Sequence, residues 1–240
     1  MERLASPNAW TDSGPRNMVL DTLEAATRKR ISPNLQLDML KLGAVVCESG
    51  AALDYAYFPV GSVLSLLTVL ENGSAIETAN IGSEGAFGLF AVLSSLGVVS
   101  FVRCVIQLPG LLVRCPIDAL RDEVDRSEVL RGHCAVNSES ILTQVQQNLV
   151  CNARHSMRER LSRWLLTMHD RAGAESPAYA RQFLAGILGE SGQSVSLAVQ
   201  LMHTDGLITY RRDAIEIVDR PGLEQASCEC YAIVKRRTGR

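Results

Sequence analysis

The sequence predicts an α+β protein: an N-terminal antiparallel β-roll of the double-stranded β-helix or jelly-roll kind, a long helix, and a C-terminal winged helix-turn-helix. Three observations predict it. Between Leu40 and Cys115 short apolar runs alternate with turn residues; after Pro116 the apolar period lengthens to that of a helix; and near the C-terminus two short helical segments flank a glycine and precede an alternating hairpin.

The first ~17 residues, rich in Ser, Pro, Asn and Gly, read as a loose tail. In the roll, Val45-Val46, Tyr55-Ala56-Tyr57-Phe58, Val63-Leu64-Ser65-Leu66-Leu67 and Val98-Val99-Ser100-Phe101-Val102 read as strands. They are separated by Gly43, Gly50, Pro59, Gly61, Asn72-Gly73, Gly82, Gly85 and Pro109-Gly110. Many short strands with regular turns favour an antiparallel roll or barrel.

From Ile117 to about Leu149 breakers are few, and Ile141, Val145 and Leu149 recur at four-residue steps beside Leu142. Together they make one apolar stripe. A long helix of about residues 127–151 is expected to pair with its copy through that stripe. A second helix, Ser156 to about His169, puts Leu161, Trp164, Leu165 and Met168 on one face, with Arg158, Arg160 and Arg163 read as a solvated face and Asp170-Arg171 as helix-end residues. Arg171 to Pro177 breaks it. The expected divisions are residues 1–17, 18–151 and 152–240.

In the last of these, Gln182 to Gly189 reads as a helix whose Ala185 admits a close neighbour and whose Gly189 takes the left-handed turn. Leu184, Leu188, Val195 and Ala198 supply the apolar face between it and a following helix. Leu207 to Arg212 and Ile215 to Val218 alternate as a hairpin around Asp213-Ala214, the wing. Such a unit commonly sets its second helix in the DNA major groove.

With 240 residues, 47% of them hydrophobic and 21% charged, the chain can bury a substantial core. The net charge of −2 argues against a general polyanion binder. Yet through Cys151 there are 11 basic and 16 acidic side chains, and from Asn152 onward 13 basic and 10 acidic. The basic surplus sits with the helix-turn-helix. Seven scattered cysteines do not read as a secreted disulfide framework. The start has no apolar signal region, and no stretch approaches the ~20 apolar residues of a membrane span. A cytoplasmic location and no membrane partner are expected.

Three segments carry a resemblance to a known family: Tyr57-Phe58-Pro59-Val60-Gly61-Ser62-Val63-Leu64-Ser65 with Gly82-Ser83-Glu84-Gly85-Ala86-Phe87-Gly88; Cys151 to His155 with Arg160 to Leu166; and Asp219 to Glu224 with Cys228-Glu229-Cys230-Tyr231. In that order, from about Leu40 to Tyr231, the chain resembles the Crp/Fnr family of bacterial transcriptional regulators. The resemblance implies a cyclic-nucleotide-binding-like roll, a dimerisation helix, and a homodimer that reads a palindrome in double-stranded DNA, with RNA polymerase as a further candidate partner.

The departures from that family are informative. Cyclic-AMP-binding relatives hold the ribose with a Glu after the cassette glycine and the phosphate with an Arg followed by Ser or Thr; the matching positions here are Ala86, Val98 and Val99. A phosphate facing Val98 would be an unpaired charge, costing on the order of several kcal/mol. Cyclic AMP is therefore not the expected effector, and the effector stays unassigned. Relatives commonly read guanine with arginines where this chain has Gly192 and Leu197, with Gln193 at a position often acidic. The remaining candidates for DNA contact are Ser191, Gln193, Ser194 and Ser196 on the second helix and Arg211 and Arg212 on the wing; those for dimerisation are Ile141, Leu142, Val145 and Leu149.

Cys151 and His155, four apart on a helix, would present a thiolate and an imidazole on one face. Two ligands do not make a site, and Cys228-Glu229-Cys230 reads first as structural; no metal and no cofactor are assigned. No nucleophile elbow, P-loop, dinucleotide fingerprint or His–carboxylate cluster is present, so catalysis is not expected. The second reading, from a different class, is a dimeric ligand- or protein-binding module that has lost sequence-specific DNA reading, favoured by Gly192 and Leu197.

Overall fold

The computed structural model describes residues 2–3, 16–172, 181–211 and 214–238. They form two compact units: Met1–Leu66 with Asn80–Leu142, and Leu67–Ala79 with Thr143–Arg240. The second unit takes in the outer part of a β-hairpin from the roll and the end of the long helix from Thr143 onward, where the sequence suggested a boundary at Cys151.

The roll is built from β1 (Glu2–Arg3), β2 (Gln36–Leu40), β3 (Val45–Cys47), β4 (Tyr55–Val60), β5 (Val63–Val69), β6 (Ala75–Ile81), β7 (Arg103–Leu108) and β8 (Gly110–Pro116). They make two four-stranded sheets of order β1-β2-β8-β4 and β3-β7-β5-β6. Pairing is antiparallel for β1 with β2, β2 with β8, β3 with β7 and β4 with β8. Phe58, Val63, Leu64, Ala79, Ile106 and Leu112 are buried in them. The α+β class read from the turn spacing is therefore the observed one.

Two local expectations change. Val98 to Val102 is not a strand: the Ser100 hydroxyl donates to the Val102 carbonyl at 2.7 Å and accepts from its amide at 3.3 Å, closing a local turn that leaves Phe101 exposed. At the other end, Asn17 belongs to the fold rather than to a tail. It is fully buried, caps α1 (Met18–Thr22) through the Val19 and Leu20 amides, and donates to the Pro59 and Gly85 carbonyls at 2.9 Å each. The short α2 (Ala25–Ile31) follows.

After α3 (Ile117–Val124), α4 runs from Glu128 to Arg154, 27 residues. It passes the expected end at Cys151 because nothing in Asn152-Ala153-Arg154 breaks a helix; the turn comes at His155-Ser156, where Ser156 and Glu159 cap the next helix reciprocally. The Ser156 amide and hydroxyl each donate to the Glu159 carboxylate at 2.7 Å. Leu142, Val145 and Leu149 are 55%, 37% and 72% exposed on α4, at the alternating three- and four-residue spacing of a helix-pairing seam. Ile141 is half-buried and lies at its margin.

Candidate nucleic-acid interface

In the second unit, α5 (Met157–Ala172), α6 (Arg181–Leu188) and α7 (Gly192–Thr204) are followed by β9 (Ile208–Arg211), β10 (Ala214–Ile217), α8 (Arg220–Ala226) and α9 (Cys230–Thr238). β9 and β10 pair antiparallel with Arg211 opposite Ala214, so Ala214 belongs to the strand and not to the turn. Arg212 lies outside the described residues.

The turn from α6 to α7 depends on Gly189. Its φ of +64° is one that side-chain-bearing residues rarely adopt, and a Cβ there would come within 3.0 Å of Ile76 on β6. Leu184, Leu188, Val195, Ala198, Val199 and Met202 are buried on the inner faces of the two helices. This packing leaves the opposite side of α7 uncovered.

Arg160 departs from the sequence reading most. It is only 4% exposed, and its guanidinium bonds the Glu190 carboxylate at 2.6 Å and the Leu188 carbonyl. It therefore holds the chain through the helix-turn-helix corner instead of facing water. Arg158 pairs with Asp205 at 2.6 Å. On the next helical turn Trp164 is buried and its indole N–H donates to the Glu77 carboxylate at 3.1 Å.

Asp170 is also more than a helix end. Its carboxylate accepts from Arg220 at 2.6 Å and from the Tyr231 hydroxyl at 2.8 Å, with Lys235 at 3.4 Å. Arg220 further donates to His169 Nδ1 at 2.8 Å. Burial alone would raise the Asp170 pKa, but the hydrogen bonds from Tyr231 and Arg220 and the charges of Arg220 and Lys235 outweigh it and hold the carboxyl below its ordinary value. A depressed carboxyl contributes stability that is complete above its unfolded pKa and is lost as pH falls through the folded one. The melting temperature should thus drop below pH ~4 more steeply in the wild type than in Asp170→Asn, which is already less stable at neutral pH. Parallel slopes in acid would refute this role for the network.

On the uncovered side, Gln193, Ser196, Leu197, Gln200 and His203 of α7 and Tyr210 of β9 line one open groove. The structure brings together Gln193 and Ser196 of the expected set. Ser191 and Ser194 lie at the edge, engaged in capping: Ser191 Oγ accepts from the Ser194 amide at 3.1 Å and sits 2.9 Å from its hydroxyl. Arg211 is on β9. Gln200, His203 and Tyr210 were not singled out from sequence, although Gln200 lies two helical turns beyond Gln193 and was open to that inference.

The chemistry of the groove is that of uncharged readers. A side-chain amide can bond adenine N6 and N7 in the major groove, and an exposed aliphatic group can meet the thymine methyl; no arginine of α7 is available for guanine.

Residues 159–226 match the family model of the Crp-like helix-turn-helix domain. The chain carries a Crp-like helix-turn-helix domain on the Crp/Fnr fold. Among curated proteins, the global nitrogen regulator of Synechococcus elongatus (strain ATCC 33912 / PCC 7942 / FACHB-805) is 21% identical over 198 residues, covering 80% of this chain and 89% of that protein. Among solved structures, FixK2 from Bradyrhizobium japonicum is similar with a TM-score of 0.69 at 17% identity, over 81% of this chain and 98% of that one. A CRP/FNR-family transcriptional regulator from Thermus thermophilus, TTHA1359, is similar with a TM-score of 0.66 at 18% identity, over 80% and 97%. The groove on α7 is thus the outer face of the second helix of the helix-turn-helix in a Crp-like domain. No helix among the described residues is long and apolar enough to cross a membrane.

Proposed function

We propose that the protein is a homodimeric, DNA-binding transcriptional regulator that pairs through α4 and reads a palindrome with Gln193, Ser196, Leu197 and Gln200, favouring A·T over G·C pairs at the contacted positions. The observation that carries the reading is the row of two exposed amides, a half-buried hydroxyl and an exposed leucine lining the groove on α7, in the helix that a Crp-like domain offers to the major groove. Arg211 and Arg212 of the wing would add phosphate contacts, which supply affinity and register but no sequence information.

Selection of binding sites from fragmented genomic DNA, followed by titration against a scrambled duplex, tests it. A palindromic motif with A·T pairs under α7 is expected; no enrichment by a folded dimer would favour the module that no longer reads sequence. Against the selected site, Gln200→Ala should weaken binding by about 5- to 100-fold and relax preference at one position in each half-site, the effect of losing an adenine-reading amide. Equal loss on the scrambled duplex would contradict base reading.

The roll is proposed to work without cyclic AMP. Two features support this: Ala86 offers no carboxylate, and both its backbone groups are taken, its N–H donating to Asn137 Oδ1 and its carbonyl accepting from Asn137 Nδ2, at 2.9 Å each. Titration calorimetry with cyclic AMP should give no saturable heat; stoichiometric binding would overturn this part of the proposal.

A further inference from the structure

Four ligand-type side chains from distant parts of the sequence meet in the second unit. Cys151 comes from the last turn of α4, His155 from the bend after it, Cys228 from the loop between α8 and α9, and Cys230 from the first residue of α9. Their sulfur and nitrogen atoms all lie within 4.8 Å of one another. The three cysteines are buried and the histidine is half-buried. Cys151 Sγ is 3.6 Å from Cys228 Sγ, and Cys230 Sγ is 3.5 Å from His155 Nδ1.

The geometry points to a mononuclear Cys3His site for zinc that ties the end of α4 to the start of α9. A tetrahedral zinc ion with ordinary Zn–S and Zn–N lengths needs sulfurs ~3.8 Å apart and a nitrogen ~3.5 Å from each sulfur, so the quartet closes on such an ion with shifts of up to about 1 Å. An iron–sulfur cluster distributes its cysteines over separate irons and requires a wider cage. Three soft thiolates and one imidazole, with no carboxylate among them, are a zinc donor set rather than one for magnesium, calcium or manganese.

The surroundings fit the same assignment. His155 turns Nδ1 to the sulfurs and Nε2 to the Glu229 carboxylate at 3.3 Å, the arrangement in which a carboxylate fixes the tautomer of a metal-bound histidine. The Gln147 amide donates to Cys230 Sγ at 3.0 Å, as donors do to metal-bound thiolates. A divalent cation bound here would replace the thiol protons and release them to solvent.

The test uses the full chain, purified under reducing conditions without a polyhistidine tag. Elemental analysis should find about one zinc per chain, and cobalt(II) added to chelator-treated protein should give intense visible bands of tetrahedral coordination with thiolate-to-cobalt charge transfer in the near ultraviolet. Removal of the metal should lower the melting temperature by roughly 10 °C, reversibly. Glu229→Gln and Gln147→Ala, which leave the ligands in place, should weaken cobalt binding ~10- to 100-fold, and Cys228→Ser should shift the charge-transfer band. Less than about one-tenth of an equivalent of zinc together with an absence of cobalt bands would overturn the assignment, as would iron at stoichiometric level. A resting Cys151–Cys228 disulfide in the freshly isolated, unreduced protein would overturn it too. None of these readouts involves DNA, so the zinc site stands or falls apart from the DNA-reading proposal.

Discussion

Leu149→Asp is expected to turn the protein into a monomer and to weaken binding to a palindromic site by at least ~100-fold, with little change in the stability of the monomer itself. Leu149 is among the most exposed apolar side chains on α4, so the change removes little packing among the described residues. In a two-fold pairing through the row of Leu142, Val145 and Leu149, one substitution places two carboxylates in the seam. Each then loses solvation with no cation opposite it. Ile141, half-buried at the edge of the row, should give a smaller loss of dimer and a larger loss of stability when replaced by Asp. Light scattering and urea unfolding separate these outcomes; a Leu149→Asp protein that stays dimeric would move the interface to another face.

Arg160→Ala should destabilise the C-terminal unit by about 3–5 kcal/mol, the range for removing one member of a buried ion pair. The side chain is 5% exposed and its partner Glu190 is 34% exposed, so part of the carboxylate's loss is recovered from water, and the lower end of the range is expected. Removing the guanidinium also strands the Leu188 carbonyl at the corner before α7. DNA binding should fall with stability because the corner sets the angle at which α7 is presented. In a double-mutant cycle with Glu190→Gln, a coupling below about 0.5 kcal/mol would show that the pair is incidental.

The architecture could be read from the sequence because each of its parts carries a local signal. Turn residues fix the strands of the roll, an unbroken apolar period marks α4, and Gly189 requires the left-handed corner before α7. Features that depend on distant partners could not be read in this way. Arg160 sits on an amphipathic helix where an outward arginine is the simplest inference, and its burial is decided by Leu188 and Glu190, 28 and 30 residues further on. Likewise, Cys151 with His155 and Cys228 with Cys230 are each visible as a pair, but their meeting depends on the loop before α9 returning to the end of α4. Val98 to Val102 shows the opposite failure. Its residues favour a strand, but its pairing is limited to one antiparallel bridge, Val99 with Ala52, beyond which the Ser100 hydroxyl bonds the backbone two residues on.

In the proposed dimer α4 holds two copies of α7 at a fixed separation, so that the protein reads two half-sites as one unit. The direct measurement is affinity for the selected palindrome and for versions with about 5 and about 10 extra base pairs between the half-sites, at one salt concentration. Insertion of half a helical turn should reduce affinity to that of a single half-site by facing the two grooves apart, and a full turn should restore little because the reach along the axis stays fixed. Equal affinity for all three duplexes would contradict the claim and leave each domain binding alone.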